Sequence, residues 1–142
     1  MLHNMDSVNN QCPCGSGKPF RFCCEPAIEG HKPAKTAEAL MRSRYSAFSL
    51  GAIDYLIQTT APEKRFPDDA ELLQEQCKAT IWTGLDILGA TRGSAQDQTG
   101  TVEFEAHFES GEQHGTLREH SNFRRDNDRW YYVDGDVEVI TH

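Results

Sequence analysis

The chain has 142 residues, of which 37% are hydrophobic, and it carries 14 Lys and Arg against 22 Asp and Glu, a net charge of −8 at pH 7. This charge argues against a general nucleic-acid-binding protein, because such proteins displace counterions with a basic surface. No apolar run approaches the roughly 20 residues that span a bilayer, and the first residues lack the apolar core of a signal peptide. We therefore expect a soluble, cytoplasmic protein with no membrane insertion.

The beginning of the chain differs in composition from the rest. Residues 1–10 are polar and are predicted to be a flexible N-terminus, whereas residues 11–35 hold four cysteines and four of the six prolines. The first 35 residues contain four basic and three acidic side chains, so the acidic excess belongs to the remainder. We predict a small cysteine module over residues 11–35 and a main domain over residues 36–142.

The cysteines of this module are the most specific chemical signal. The segment C-P-C-G-S-G-K-P-F-R-F-C-C contains Cys12, Cys14, Cys23 and Cys24 within thirteen residues. In a reducing compartment such a cluster indicates a metal site rather than disulfides. Four thiolates suit one Zn²⁺ in a closed tetrahedral site, which has a structural role because no position is left for water. Lys18 and Arg21 are expected to offset its negative charge.

Three helices are predicted after the module. Thr36 is a good N-cap and Gly51 a good C-terminal stop, so the first helix lies between them. Its apolar face recurs at intervals of four, four and three residues and consists of Ala37, Met41, Tyr45 and Phe48. A second, short helix is predicted over residues 53–60. The third starts at residue 68 or 69 and runs to about residue 78, where Cys77 is expected to be a buried free thiol.

The second half of the chain changes to an apolar period of two, which is typical of strands. Turn signals separate the alternating segments at residues 110–113 and 126–128. The predicted strands cover residues 80–88, 101–108, 117–123 and 129–133. Helices followed by a meander of about four strands indicate an α+β fold, in which helices cover one face of a curved antiparallel sheet.

Arg44 is the residue of the first helix that requires a partner. It falls on the apolar face, whereas Arg42 and Ser43 turn away, and an unpaired buried charge is costly. Glu119 lies on the inward face of its strand and is the predicted partner, with Asp54 and Asp86 as alternatives. The expected interior pocket is mostly apolar with a few convergent polar groups, and its candidate residues are Arg44, Tyr45, Glu119, Ser121, Trp130 and Tyr132. A structural ion pair, small-molecule binding and catalysis remain open.

The histidines give a weaker signal. His107 shares the polar face of its strand with Glu103 and Glu105, where a solvated acidic surface is the simpler interpretation and a second metal site the alternative. His120 points away from Glu119 and is predicted to be exposed.

The segment C-P-C-G-S-G-K-P-F-R-F-C-C resembles the SEC-C motif, a zinc module found at the C-terminus of the SecA translocation ATPase. Together with L-M-R-S-R-Y-S-A-F at residues 40–48, E-H-S-N-F at 119–123 and R-W-Y-Y-V-D-G-D at 129–136, it makes the chain similar to the YchJ-like family of uncharacterised bacterial proteins. The resemblance implies a nuclear-transport-factor-2-like domain, with three helices folded over a strongly curved sheet to form a cone with a pocket. It implies no reaction, because the family lacks an assigned one.

The resemblance also implies that the module contacts another protein. In SecA the motif engages the SecB chaperone, and contact with the ribosome is also associated with it. The contact candidates are Lys18, Phe20, Arg21 and Phe22, and packing of the two phenylalanines on the main domain is the alternative interpretation.

The leading hypothesis is a non-enzymatic, zinc-stabilised interaction protein with partners in secretion, chaperoning or translation. The second is a ligand-binding or catalytic cone domain that uses an interior pocket at Arg44 and Glu119. A third, weaker hypothesis is RNA contact through the basic residues of the module, which are Lys18, Arg21, Lys32 and Lys35.

Overall fold

The computed structural model describes residues 11–142, so the predicted flexible segment 1–10 lies outside the described residues. A 3-10 turn covers Phe20–Phe22 and a second one Pro62–Lys64. The helices are α1 (Glu25–Ile28), α2 (Ala37–Leu50), α3 (Ile53–Gln58) and α4 (Asp69–Ala79). The strands are β1 (Ile81–Arg92), β2 (Thr99–Ser110), β3 (Gln113–Asp126) and β4 (Arg129–Thr141). Within residues 11–142, no helix has the length and apolar character that crossing a membrane requires.

The four strands form one antiparallel meander in the order β1-β2-β3-β4. The register shifts at two places between β1 and β2 and at one place between β3 and β4. Such bulges bend a strand and increase its twist, so the long strands curve strongly around the helices. The predicted α+β fold, with helices on one face of a curved antiparallel sheet, is confirmed.

The strands are longer than the sequence pattern predicted. Strand β4 was expected over residues 129–133 and continues to Thr141, and β3 begins at Gln113 rather than at Leu117. The added residues are paired through the backbone, as in the match of Gly115 with Thr141. Because strand pairing uses backbone groups, it extends past the point where apolar alternation ends.

Helix α2 begins and ends where the sequence predicted. The Thr36 hydroxyl oxygen accepts a hydrogen bond from the Ala39 amide at 3.0 Å, and Gly51 closes the helix with a left-handed φ of 75°. One expectation is wrong: Ser43 is 1% exposed rather than turned to solvent. Helix α3 packs on that side of α2, and the Ser43 hydroxyl lies 2.7 Å from the Tyr55 hydroxyl.

Two hydrogen bonds tie the start of α2 to the sheet. The Ala37 amide donates to the Gly93 carbonyl at 2.9 Å, and the Trp130 indole N–H donates to the Lys35 carbonyl at 3.1 Å. The core then lies between α2 and the concave face of the sheet, where the buried strand residues include Val102, Phe104, Ala106 and Phe123. This arrangement places one face of α2 over the sheet and the other beside the cysteine module.

Candidate metal centre and interior cavity

The four cysteine sulfurs of the module converge on one point. The Sγ atoms of Cys12, Cys14, Cys23 and Cys24 all lie within 4.8 Å of one another. The distance from Cys14 to Cys23 is 3.6 Å and that from Cys23 to Cys24 is 3.9 Å. Zinc–sulfur bonds of about 2.3 Å in a tetrahedron place the sulfurs about 3.8 Å apart. All the cysteines are free thiols, so the donor set fits a divalent metal such as zinc.

Local backbone conformation brings the two cysteine pairs together. Gly15 and Gly17 adopt left-handed φ angles of 79° and 84°, which residues with a Cβ rarely adopt. The chain then turns back, and the Cys12 amide donates to the Lys18 carbonyl at 2.9 Å. The Ser16 hydroxyl lies 3.1 Å from the Cys23 sulfur. The glycines and the serine between the pairs thus shape the loop around the sulfurs.

The sulfurs are too crowded to ionise independently. Contacts with the thiols of Cys12 and Cys24 lower the pKa of Cys14, whereas contacts with Cys12 and Cys14 raise the pKa of Cys24. A cluster of like charges at this spacing requires a cation. A bound metal supplies that charge and allows all four groups to be thiolates.

The module is docked on α2 through polar contacts that sequence reasoning did not predict. The Cys12 sulfur lies 3.4 Å from the Ser46 hydroxyl. The Arg42 guanidinium donates to the Cys14 carbonyl at 3.0 Å and lies 3.9 Å from the Cys14 sulfur. Because Arg42 and Ser46 are four residues apart, they form a polar stripe on one side of α2. That stripe is the signal that could have predicted the docking.

Arg42 takes the role that the sequence assigned to Lys18 and Arg21. Lys18 is exposed, and the Arg21 guanidinium carbon instead lies 5.0 Å from the centre of the Phe22 ring. Among residues 11–142, Arg42 is the basic side chain whose donor reaches a cysteine sulfur. The favourable charge next to the sulfurs therefore comes from the main domain and not from the module.

The four predicted contact residues of the module divide into two groups. Phe20 is partly buried and packs against the buried cluster, which includes cysteines of the module as well as residues of the main domain. Phe22 is 68% exposed, and Lys18 and Arg21 are exposed as well. These last three residues, Lys18, Arg21 and Phe22, are called the module tip below. Of the two aromatic rings, only that of Phe22 is presented to solvent.

A cavity of about 160 Å³ lies between α2 and the concave face of the sheet. The predicted pocket residues that line it are Arg44, Tyr45, Glu119, Ser121 and Tyr132. Trp130 does not line it, so that assignment is wrong. Its indole N–H instead donates to the Lys35 carbonyl, in the segment that precedes α2.

The predicted pair of Arg44 and Glu119 is not formed. Arg44 donates from Nη1 to the Leu56 carbonyl at 2.9 Å and to the Thr59 hydroxyl at 2.7 Å. Its guanidinium carbon also lies 4.8 Å from the centre of the Tyr132 ring. The last turn of α3 thus satisfies Arg44 through its carbonyl end, which carries partial negative charge. Burial lowers the pKa of Arg44 to about 10, so the side chain stays charged at neutral pH.

Neither alternative partner holds Arg44, and Glu119 has partners of its own. Glu119 accepts hydrogen bonds from the Tyr132 hydroxyl at 2.6 Å and from the Ser121 hydroxyl at 2.9 Å. Asp86 contacts His107 instead. Tyr132 therefore stands between the cation and the carboxylate, with its ring against one and its hydroxyl on the other. Burial and the Glu119 carboxylate raise the pKa of Tyr132.

Trp82 is a cavity residue that sequence reasoning missed. It lines the cavity and packs edge-on against Tyr45 and Phe108, with ring centres 6.1 and 5.7 Å apart. Its indole Nε1 is buried without a hydrogen-bond partner among residues 11–142. A buried donor left unsatisfied costs about 1–3 kcal/mol. The sequence signal for Trp82 was its place in the predicted strand over residues 80–88, in a sheet that the apolar face of the first helix was expected to cover.

The polar face of the sheet also differs from the simple expectation. His107 lies with Asp86 and Glu105, whereas Glu103 bonds Arg118 at 3.2 Å. His120 is exposed, as the sequence predicted. Cys77 is only partly buried and not the buried thiol that the sequence predicted, and α4 has no fully buried residue.

Two protein families and several solved structures match the chain. Residues 9–26 match the SEC-C motif, and residues 36–135 match the family described as YchJ, middle NTF2-like domain. A UPF0225 protein of Geobacter sulfurreducens is 41% identical over 90% of this chain and 80% of its own length. A UPF0225 protein of Actinobacillus succinogenes is 42% identical over 90% of this chain and 82% of its own length.

The solved structures agree with these matches. The solution structure of a SEC-C motif-containing protein from Rhodopseudomonas palustris has a TM-score of 0.81 and 37% identity, and the match covers 88% of this chain and 96% of that one. The crystal structure of a SEC-C motif-containing protein from Psychrobacter arcticus has a TM-score of 0.74 and 28% identity, covering 92% and 83%.

Proposed function

We propose that this chain, a member of the YchJ-like UPF0225 family, is a zinc-stabilised protein whose cysteine module binds a protein partner. The observation that carries the proposal is the docking of a closed four-sulfur site on α2, which leaves the module tip in solvent. One Zn²⁺ held by Cys12, Cys14, Cys23 and Cys24 would be structural, because three of the four cysteines are buried and the donor set is complete.

The metal would hold the module in one orientation on the main domain. The module has few apolar residues for a core of its own, so metal binding supplies folding free energy. Contacts of Cys12 with Ser46 and of Cys14 with Arg42 then fix the folded module against α2. A cytoplasmic location fits this role, because a reducing compartment keeps the four thiols available for the metal.

The module tip has the composition of a small binding surface. Phe22 is 68% exposed, and the Arg21 guanidinium stacks on its ring at 5.0 Å. Arginine and aromatic residues, phenylalanine included, are enriched at protein interfaces relative to the rest of the surface. The matching partner surface is acidic with an apolar pocket for one ring. SecB-type chaperones and ribosomal proteins are the partners to test first, by resemblance to the SEC-C motif of SecA.

The test compares two phenylalanines that are exposed to a similar extent. Phe22→Ala removes the ring of the module tip, and Phe66→Ala removes a ring that is 64% exposed in the main domain. With purified SecB and purified ribosomes, we expect Phe22→Ala to lose binding and Phe66→Ala to keep it, while both retain one zinc per chain. Equal binding by the wild type and Phe22→Ala would exclude the module tip as the contact surface.

The unsatisfied indole of Trp82 favours a second candidate function, which is binding of a small molecule in the cavity. The cavity volume of about 160 Å³ is that of one ring-sized molecule. Arg44 supplies a cation without a carboxylate partner, and Trp82, a lining residue, has an indole donor with no partner among residues 11–142. These groups favour a small, mainly apolar molecule that carries one oxygen acceptor.

The cavity can be tested with tryptophan fluorescence, and the variant Trp130→Phe assigns the change to Trp82 because the chain has two tryptophans. A panel of small aromatic carboxylates and phenols is titrated into the wild type and into Glu119→Gln, which removes a charge from the lining. Binding is expected to change the fluorescence of Trp82 and to be tighter in Glu119→Gln for the anionic members. A flat response of both proteins to the whole panel would remove the ligand-binding candidate.

A further inference from the structure

The convex face of the sheet carries a cluster of metal-ligating side chains that the cysteine centre does not use. Asp86 on β1 and Glu105 on β2 are direct cross-strand partners, and His107 lies two residues along β2 on the same face. One ligand atom from each of the three residues lies within 4.8 Å of those of the other two. Two carboxylates and one imidazole are a donor set that suits divalent first-row transition metals.

The charges of this cluster are not balanced by the chain. Like charges directly opposite on neighbouring strands are destabilising, and Asp86 and Glu105 are such a pair. Arg118 is the cross-strand partner of Glu105 on β3, but its guanidinium bonds Glu103 at 3.2 Å instead. Among residues 11–142, Glu105 thus has no basic residue within ion-pair distance. A cation bound between Glu105 and the neighbouring Asp86 carboxylate would therefore be stabilising.

The orientation of His107 is set by a second, independent contact. Its Nδ1 lies 3.0 Å from the hydroxyl of Thr116, which is 7% exposed and is the direct cross-strand partner of His107 on β3. Its Nε2 points to the Asp86 carboxylate at 2.9 Å. Histidines that ligate metals usually bond a neighbouring group through the other ring nitrogen, which fixes the tautomer and the direction of the ring. The Thr116 hydroxyl oxygen is placed to accept a hydrogen bond from His107 Nδ1–H and so to fix the direction of the ring.

We propose that Asp86, Glu105 and His107 form a second metal site, which takes a divalent transition-metal ion such as Zn²⁺. Nε2 of His107 and one oxygen from each carboxylate are the protein ligands, and Nδ1–H donates to Thr116. The Asp86 side chain is 65% exposed and His107 is 37% exposed, so the site is open to solvent and the remaining ligands are water. An open site of this kind binds its metal reversibly, in contrast to the closed cysteine centre.

The test is a calorimetric titration of Zn²⁺ into the full chain whose cysteine centre has been filled and verified by metal analysis. The wild type is expected to take up one further zinc per chain. His107→Ala is expected to lose that uptake, and Glu105→Gln to weaken it by at least about tenfold. Glu109→Gln is the matched control, because Glu109 lies on the same strand and face but outside the cluster, and it should bind as the wild type does.

Two outcomes would overturn the site. One is the absence of further uptake by the wild type at millimolar zinc, which would show that Asp86 and His107 form a hydrogen bond and bind no metal. The other is equal uptake by His107→Ala, which would place the second zinc elsewhere in the chain. The melting temperature and the one retained cysteine-bound zinc verify that each variant is folded, so a loss of uptake reports on the site itself.

Discussion

Replacement of Arg42 by Met tests whether the main domain stabilises the cysteine centre. Arg42 is half-buried, with 26% of its side chain exposed, and its guanidinium bonds the Cys14 carbonyl at 3.0 Å and lies 3.9 Å from the Cys14 sulfur. Met retains most of the aliphatic length of Arg and removes the charge and the donors. The variant therefore isolates the polar contact from the packing of the side chain.

The expected magnitude follows from that contact. A hydrogen bond from a charged donor contributes about 1.5–3 kcal/mol, and partial exposure of Arg42 reduces this to about 1 kcal/mol. For a chain of this length, that loss lowers the melting temperature by roughly 3–5 °C. The same 1 kcal/mol, applied to the metal-bound state, raises the zinc dissociation constant about fivefold.

The assay is competition for zinc with a chromogenic chelator, combined with thermal unfolding of the zinc-loaded protein. Glu38→Gln is the control, because Glu38 is the more exposed partner of its pair with Arg42, at 44% exposure, and it accepts a hydrogen bond from Arg42 Nε at 3.1 Å. Exposed pairs contribute little, so this variant should change the melting temperature only slightly. Unchanged zinc affinity and stability in Arg42→Met would refute the idea that α2 supports the metal centre.

Three further predictions concern the main domain. Leu56→Ala empties a site that is 0% exposed and should lower the free energy of unfolding by about 3 kcal/mol in urea denaturation. Gly100→Ala places a Cβ 2.8 Å from the Gly93 nitrogen and should cost about 2 kcal/mol or more by the same measurement. The ion pair with Arg124 lowers the pKa of Glu63 from its ordinary 4.5 to about 2. Its stabilisation is present above pH 4.5 and is lost as the pH falls toward 2, so the melting temperatures of wild type and Glu63→Gln should differ at pH 7 and converge near pH 2.

The interior cavity was predicted in part. Helical spacing placed Tyr45 and Arg44 on the inner face of α2, and strand alternation placed Glu119 and Ser121 on the inner face of β3, and all four line the cavity. Which polar groups would bond each other did not follow from the pattern. The Arg44 donors reach the end of α3 rather than Glu119, because α3 turns back beside α2.

For the module tip, too, the sequence pattern did not determine which side chain would be buried. The sequence named Phe20 and Phe22 together, and only the path of the 3-10 turn separates the ring that packs against the core from the ring that is exposed. His107 is a similar case, because its neighbours Asp86 and Thr116 come from two other strands whose register the alternation alone does not specify.

Local patterns in the sequence were sufficient for the cysteine centre, the limits of α2 and the fold class. Thiol spacing, capping residues and apolar periodicity act over a few neighbouring residues, so these features can be predicted from short segments of the sequence. The docking of the module on Arg42 and Ser46 and the contacts of His107 with Asp86 and Thr116 were decided by the tertiary structure alone. These contacts join residues far apart in the chain, and they depend on helix packing and strand register, which arise only when the whole domain folds.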